Sequence, residues 1–173
     1  MSNYYVLAHD ASRDDLEAVS SYELHTFDLT VFWSGRRFNG SVPKDVRVWV
    51  TEGDRPSDFL GNPLSWPIVS ERFWRLVQPL AENTCQVIDP PLYYETSEEP
   101  VAGYRLLNVT RSVKASLSRE VSIPTLQLEP KRVPRNVHLF RLAESRTVII
   151  VSSALVELIT QKGLEGVALI DCG

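Results

Sequence analysis

The residues of this chain that could do chemistry are three histidines, two cysteines and a few serines and aspartates. A zinc site requires three or four His, Cys or carboxylate ligands within reach of one another. His9, His25 and His138 are scattered, and Cys85 and Cys172 stand far apart with no CxxC pair. His9-Asp10 sets an imidazole beside a carboxylate that could orient it as a general base; a solvated turn explains the same dipeptide. A serine or cysteine nucleophile needs a base and an orienting group, and neither a GxSxG elbow nor a local Cys–His pattern occurs. Phosphate loops of the GxGxxG or GxxxxGK[ST] type are absent as well. The expectation is a chain with no metal, no cofactor and no catalytic set of its own.

One polar pattern does recur. PIVSERFWRLVQPLAENTCQVID (67–89) and IIVSSALVELITQKGLEGVALID (149–171) match at a constant offset of 82 positions, aligning Ile68 with Ile150, Ser70 with Ser152, Leu76 with Leu158 and Asp89 with Asp171. In the first copy Ser70 is placed to cap a helix carrying Phe73, Leu76, Val77 and Leu80 at spacings of three and four. In the second, Ser152 takes the cap position, Leu155, Leu158 and Ile159 form the stripe, and Gly163 suits the left-handed residue that closes a helix. Pro79 predicts that the first helix kinks or stops near Gln78. A strand follows each helix, CQVID in one copy and GVALID in the other. A duplicated active site would keep titratable groups in both copies, but only the Ser and Asp positions are shared, so the repeat reads as scaffold.

Elsewhere NYYVLA (3–8), DLTVFW (28–33), VRVWV (46–50), GYRLLNV (103–109), TLQL (125–128) and VHLFRL (137–142) are strand candidates, the last apolar on both faces and therefore central. Gly, Pro, Asn and Asp mark the connections. The 173 residues fit one domain with a core of its own. A balance of 18 basic to 22 acidic residues speaks against a dedicated nucleic-acid binder. Scarce cysteine, no basic N-terminal leader and no apolar run near the ~20 residues that span a bilayer predict a cytoplasmic chain. Charge is nevertheless uneven. Residues 1–30 hold six acidic side chains against Arg13 alone, and residues 111–146 hold eight basic against three acidic. Such stretches are ordinarily solvated faces that attract one another within a fold, with partner steering as the alternative.

Protein recognition fits one segment best. In DPPLYYETSEEP (89–100), Tyr93 and Tyr94 stand beside Glu95, Glu98 and Glu99, with prolines at both ends that limit the chain entropy a partner must freeze. An acidic aromatic loop of this kind suits a basic partner; the alternative is a solvated connection with the tyrosines packed inward. Trp33, Trp49, Trp66 and Trp74 are further candidate anchors, with Trp49 and Trp74 expected in the core because they sit in periodic elements.

The succession DFLGNPLSWPIVSERFWRLV, GYRLLNV, VHLFRL and TVIIVSSALVELITQKGLEGVALID resembles the bacterial immunity-protein family numbered eleven among polymorphic-toxin immunity domains. The resemblance covers residues 58–171; residues 1–57 share only a strand-rich character. Its specific pieces are Asp58-Phe59, Ile68-Val69-Ser70 with Arg72, Tyr104 with Leu107-Asn108-Val109, Phe140-Arg141, Gly163-Leu164 and Gly166-Val167. Where members often carry an acidic pair after the Leu-Asn-Val strand, this chain has Lys114 and Ser116, so no role of that pair carries over. The residues read as a mostly antiparallel α+β domain with two short amphipathic helices in two strand-helix-strand units, and the resemblance likewise implies an α+β domain. It also implies a cognate toxin protein, encoded nearby, as the partner, bound and neutralised by occlusion without catalysis. Two other readings stay open: an enzyme whose site gathers His9, Asp10, Ser70 and Arg72, and a homo-oligomeric regulatory module using the basic 111–146 segment.

Overall fold

The computed structural model describes residues 3–51, 53–117 and 122–173; Arg119 and Glu120 of the basic segment lie outside them. Among the described residues the elements are β1 (Tyr4–His9), β2 (Ala18–Glu23), β3 (Arg47–Thr51), β4 (Ile68–Ser70), α1 (Glu71–Ala81), β5 (Cys85–Ile88), β6 (Leu92–Tyr94), β7 (Tyr104–Val109), β8 (Ser112–Val113), β9 (Leu139–Leu142), β10 (Ile149–Ser152), α2 (Ser153–Gln161) and β11 (Val167–Asp171). The strands form three sheets, ordered β11-β1-β10-β9-β8, β2-β3-β6 and β4-β7-β5. Only β8·β9 and β3·β6 pair in parallel. The fold is a single α+β domain, and β9 lies inside its sheet as its apolar faces require.

The recurring sequence corresponds to a recurring unit, and the unit contains one strand more than the sequence match reveals. β4 and β5 do not pair with each other. Both pair antiparallel with β7, which lies between them. β10 and β11 likewise flank β1. The registers coincide: Ser70 is opposite Tyr104 and Ser152 opposite Tyr4, while Val87 is opposite Leu107 and Leu169 opposite Leu7. Even the entry to each helix is held alike, Glu71 N donating to Gly103 O (2.7 Å) and Ser153 N to Asn3 O (3.0 Å).

Alternation along the middle strands sorts their side chains into separate cores. Leu7 of β1 and Leu107 and Val109 of β7 pack against both helices, where Phe73, Val77 and Ala81 of α1 meet Leu155 and Ile159 of α2. Tyr4 and Val6 face the other way, onto Phe140, Leu142, Val133 and Val137. Tyr104 and Leu106 likewise turn from the helices toward Phe32, Trp66, Val48 and Val50 under the β2-β3-β6 sheet. Each fully buried side chain of these types contributes roughly 1.5–3 kcal/mol.

Several elements depart from the sequence expectations. Residues 28–33 are not a strand: Asp28 Oδ1 accepts from Thr30 N and Thr30 Oγ1, both at 2.8 Å, and starts a 3-10 turn at Leu29–Phe32 that buries Phe32. Residues 125–128 make only an isolated bridge from Leu128 to Ser116, because Pro124 places Ile123–Thr125 in another 3-10 turn. Pro79 does not end α1 at Gln78. It falls in the last turn, and the helix runs on to Ala81. Ser70 caps α1 through Phe73 N (3.0 Å), whereas Ser152 makes no cap bond to α2 because its hydroxyl pairs with His138 Nδ1 at 2.8 Å. Gly163 closes α2 with φ +58°, as its position predicts.

Candidate functional site

Asp58 is the centre of one polar cluster. The residue is buried (7% exposed), and every neighbour of its carboxylate is a donor. Oδ1 receives Ser70 Oγ at 2.5 Å and Arg72 Nε at 3.2 Å; Oδ2 receives Arg72 Nη2 at 2.6 Å and the backbone N of Glu165 at 2.8 Å. The main chain repeats the connection, with Asp58 N donating to Glu165 O (2.8 Å) and Ser70 N to Asp58 O (3.0 Å). Hydrogen bonding and charge from Asp58 raise the Arg72 guanidinium above its ordinary pKa. Arg72 Nη2 also reaches Gly163 O at 3.3 Å. Gly166, at φ +74°, packs so closely on Ser57 that a Cβ would lie 2.1 Å from its Oγ. Asp58, Ser70, Arg72, Gly163 and Gly166 therefore converge on one junction. There they hold the loop before β4, the start of α1 and the loop before β11 together.

The second unit has the same station with different chemistry. Ser152 N donates to His138 O (2.9 Å) as Ser70 N does to Asp58 O, so His138 occupies the place of Asp58. The shared serines are used as polar ties in both copies, in keeping with a scaffold. His9 and Asp10 do not join Ser70 and Arg72. His9 Nδ1 contacts Phe59 O at 3.1 Å, its ring lies over Gly61, and it lines a different hollow beside Trp66 and Ile149. Asp10 binds the nearby Ser12, whose side chain and backbone lower its pKa. The residues of the enzyme alternative are thus divided between two places. Among the described residues no group of three or more His, Cys, Asp or Glu is arranged to hold a metal ion, and no helix is long and apolar enough to cross a membrane.

The 89–100 segment is not a free loop throughout. β6 lies in parallel register with β3, Leu92 beside Val48, Tyr93 beside Trp49 and Tyr94 beside Val50. Consecutive strand residues face opposite sides, and this separates the two tyrosines. Tyr94 turns inward and donates to Glu17 Oε1 at 3.2 Å; Tyr104 donates to Glu17 Oε2 at 2.8 Å, and burial first, then Glu17, hold the Tyr104 phenol well above its ordinary pKa. Tyr93 lies on the outer face with its ring centre 5.9 Å from that of Trp49. The Arg47 guanidinium sits 5.1 Å from the Tyr93 ring centre and 5.6 Å from that of Trp49, with Glu98 Oε2 3.8 Å away. Glu95, Glu98 and Glu99 are exposed at the adjoining turn, where Glu98 adopts φ +58° and donates its N–H to Tyr94 O.

This half-buried platform includes Trp49, which its periodic position placed in the core. The valines of β3 face inward, so Trp49 and Arg47 must face outward; the fully buried tryptophan is Trp66. Trp74 is half-buried against the helix core, as expected. Arg47 is the platform residue missed from the sequence, and Trp49, a candidate anchor, was expected in the core instead; the alternation of β3 contains the signal for both. No family model matches the chain, and no curated protein is a significant match to it.

Proposed function

We propose that this chain is a protein-binding domain of the immunity type, which seats on a cognate toxin protein and covers its working surface without performing a reaction. The observation that carries the reading is the outer face of the β2-β3-β6 sheet, where Trp49, Tyr93 and Arg47 stack beside exposed Glu95, Glu98 and Glu99. Trp, Tyr and Arg are the residue types that dominate binding energy at interfaces, and a partly desolvated stack with an acidic rim suits a basic partner. Tyr94, committed to Glu17, supports the fold beneath it. Further support is that Ser70 and Arg72 are engaged with Asp58.

The test is co-expression with the product of the neighbouring gene, scored by co-purification and growth. The wild-type chain is expected to form a complex and rescue growth. Trp49→Ala with Tyr93→Ala should abolish rescue with the fold intact, and Tyr94→Phe should retain it. A complex should bury more than ~1,000 Å² and weaken with salt. Absence of complex and rescue, with the partner expressed, would overturn the reading; turnover of a substrate by the isolated chain, lost in Arg72→Ala, would replace it with the enzyme reading.

A further inference from the structure

The two charged regions of the chain spend their charges differently. Before residue 111, Arg13, Arg47, Arg55, Arg72, Arg75 and Arg105 each hold a carboxylate, while Arg36, Arg37 and Lys44 hold none among the described residues. Within 111–146, Arg132 is the one cation with a carboxylate partner among the described residues. Arg141 is buried and satisfied by carbonyls: its Nε reaches Val109 O at 3.3 Å, its Nη2 Phe32 O at 2.8 Å and its Nη1 Arg146 O. Lys131 and Arg135 have no carboxylate within ion-pair distance among the described residues, and both line one hollow of about 850 Å³.

Tyr4, Val133 and Pro130 line the same hollow, together with Asn3 and Gly173. Tyr4 is 4% exposed, packed edge-on against Phe140 at 5.9 Å between ring centres, in the cluster that contains Val133 and Val137. Its backbone N donates to Gly173 O at 2.8 Å and its backbone O accepts from Cys172 N at 3.0 Å. Its hydroxyl, however, makes no hydrogen bond among the described residues, and burial raises its pKa. The ring is buried, but the hydroxyl oxygen is not sealed from solvent and is free to donate to a ligand. An unpartnered phenol, two uncommitted cations and an apolar lining at one hollow form the complement of an anion with an apolar body. The volume lies in the range of small-molecule sites, roughly 300–1,000 Å³.

We propose that this hollow binds a small organic anion, a phosphate monoester or carboxylate on a compact apolar body. The anionic head would sit between Lys131 and Arg135, accept the Tyr4 hydroxyl proton as a hydrogen bond, and leave its body against Val133 and Pro130. Arg135 can present two N–H groups to the head in a fork, and Lys131 adds a point charge.

Calorimetric titration of the full chain tests the proposal with phenyl phosphate, benzoate and inorganic phosphate as probes, and short duplex DNA as the polyanion control. Phenyl phosphate is expected to bind one per chain and more tightly than inorganic phosphate, and the comparison with benzoate identifies the head group preferred. Arg135→Gln and Lys131→Gln should each weaken binding about tenfold, the scale of one charge-assisted hydrogen bond. Tyr4→Phe removes an unpartnered hydroxyl without touching the core, so it should weaken binding several-fold at unchanged melting temperature. Arg37→Gln, on a different surface, should change nothing. Equal affinity for inorganic phosphate and phenyl phosphate would overturn the proposal, as would indifference to Tyr4→Phe or equal loss in Arg37→Gln. So would no binding at millimolar probe, or DNA binding that outcompetes the small anions with a steep salt slope.

Discussion

Replacing Asp58 by Asn tests whether the junction between the two units is held by buried hydrogen bonds or by an ion pair. All four contacts to the carboxylate are donors, so either orientation of an amide sets an NH₂ group against donors that were satisfied. The contacts differ in weight. The Arg72 side chain is 59% exposed, so solvent screens its pair and holds that contribution to about 0–1 kcal/mol. Ser70 Oγ and Glu165 N meet a carboxylate that is itself buried; a charged hydrogen bond is worth about 1.5–3 kcal/mol, and an amide oxygen recovers part of one. Asp58→Asn should therefore destabilise by about 2–3 kcal/mol and Arg72→Ala by about 1 kcal/mol or less. Equilibrium urea unfolding at neutral pH, followed by tryptophan fluorescence and far-ultraviolet dichroism, measures both, and an unchanged m-value would show that the transition is the same. If Asp58→Asn lies within about 0.5 kcal/mol of wild type, or Arg72→Ala costs as much as Asp58→Asn, the buried-hydrogen-bond account is wrong.

The matching serines should respond unequally in the same assay. Ser70→Ala loses both the cap and the Asp58 bond and should cost about 2–3 kcal/mol, against about 1 kcal/mol for Ser152→Ala, which loses only His138. Arg141→Met removes the donors of three carbonyls at once and should cost about 3 kcal/mol; Arg141→Lys should recover only part of that because an ammonium cannot span the same fork. Burial pushes the Cys85 and Cys172 thiols up to about 12, so neither should react with a disulfide reagent at pH 8 until the chain unfolds. Because the folded thiols hold their protons above the unfolded value of about 8.5, their contribution is complete below that pH and declines toward about 12. A Cys85→Ala, Cys172→Ala variant should flatten this decline. The difference between the curves isolates the thiols from Arg141, whose pKa, lowered by burial to about 10, acts in the opposite sense.

Periodic, local features were legible in the sequence: the amphipathic helices, the Ser70 cap, Gly163, and the strands β1, β3, β7 and β9. What escaped depends on contacts between distant residues. The middle strands of the two units, Tyr4–His9 and Tyr104–Val109, correspond at a spacing other than the 82 of their flanks, so a search for one offset finds the frame of each unit without its centre. Asp58 and His138 occupy one structural position with unlike side chains, which no comparison of residue types pairs. Residues 28–33 looked like a strand because the β-branched and aromatic composition hid the competing local bond from Asp28 to Thr30. At the platform, the separation of Tyr93 from Tyr94 followed from strand alternation once β6 was paired, but the flanking prolines and glutamates suggested a loop instead.

The order of the middle strands also sets the order in which the molecule can assemble during synthesis. Residues 68–109 contain β4, α1, β5 and β7, interrupted only by β6 of another sheet, so the first unit can close over a short length of chain. The second cannot: β1 precedes the other elements of the fold, and both of its neighbours, β10 and β11, follow nearly all of them. Until then the apolar side chains of β1 and both of its hydrogen-bonding edges lack their native cover. Completion of the domain therefore waits on β11, and the core beneath α1 is finished only when α2 is available.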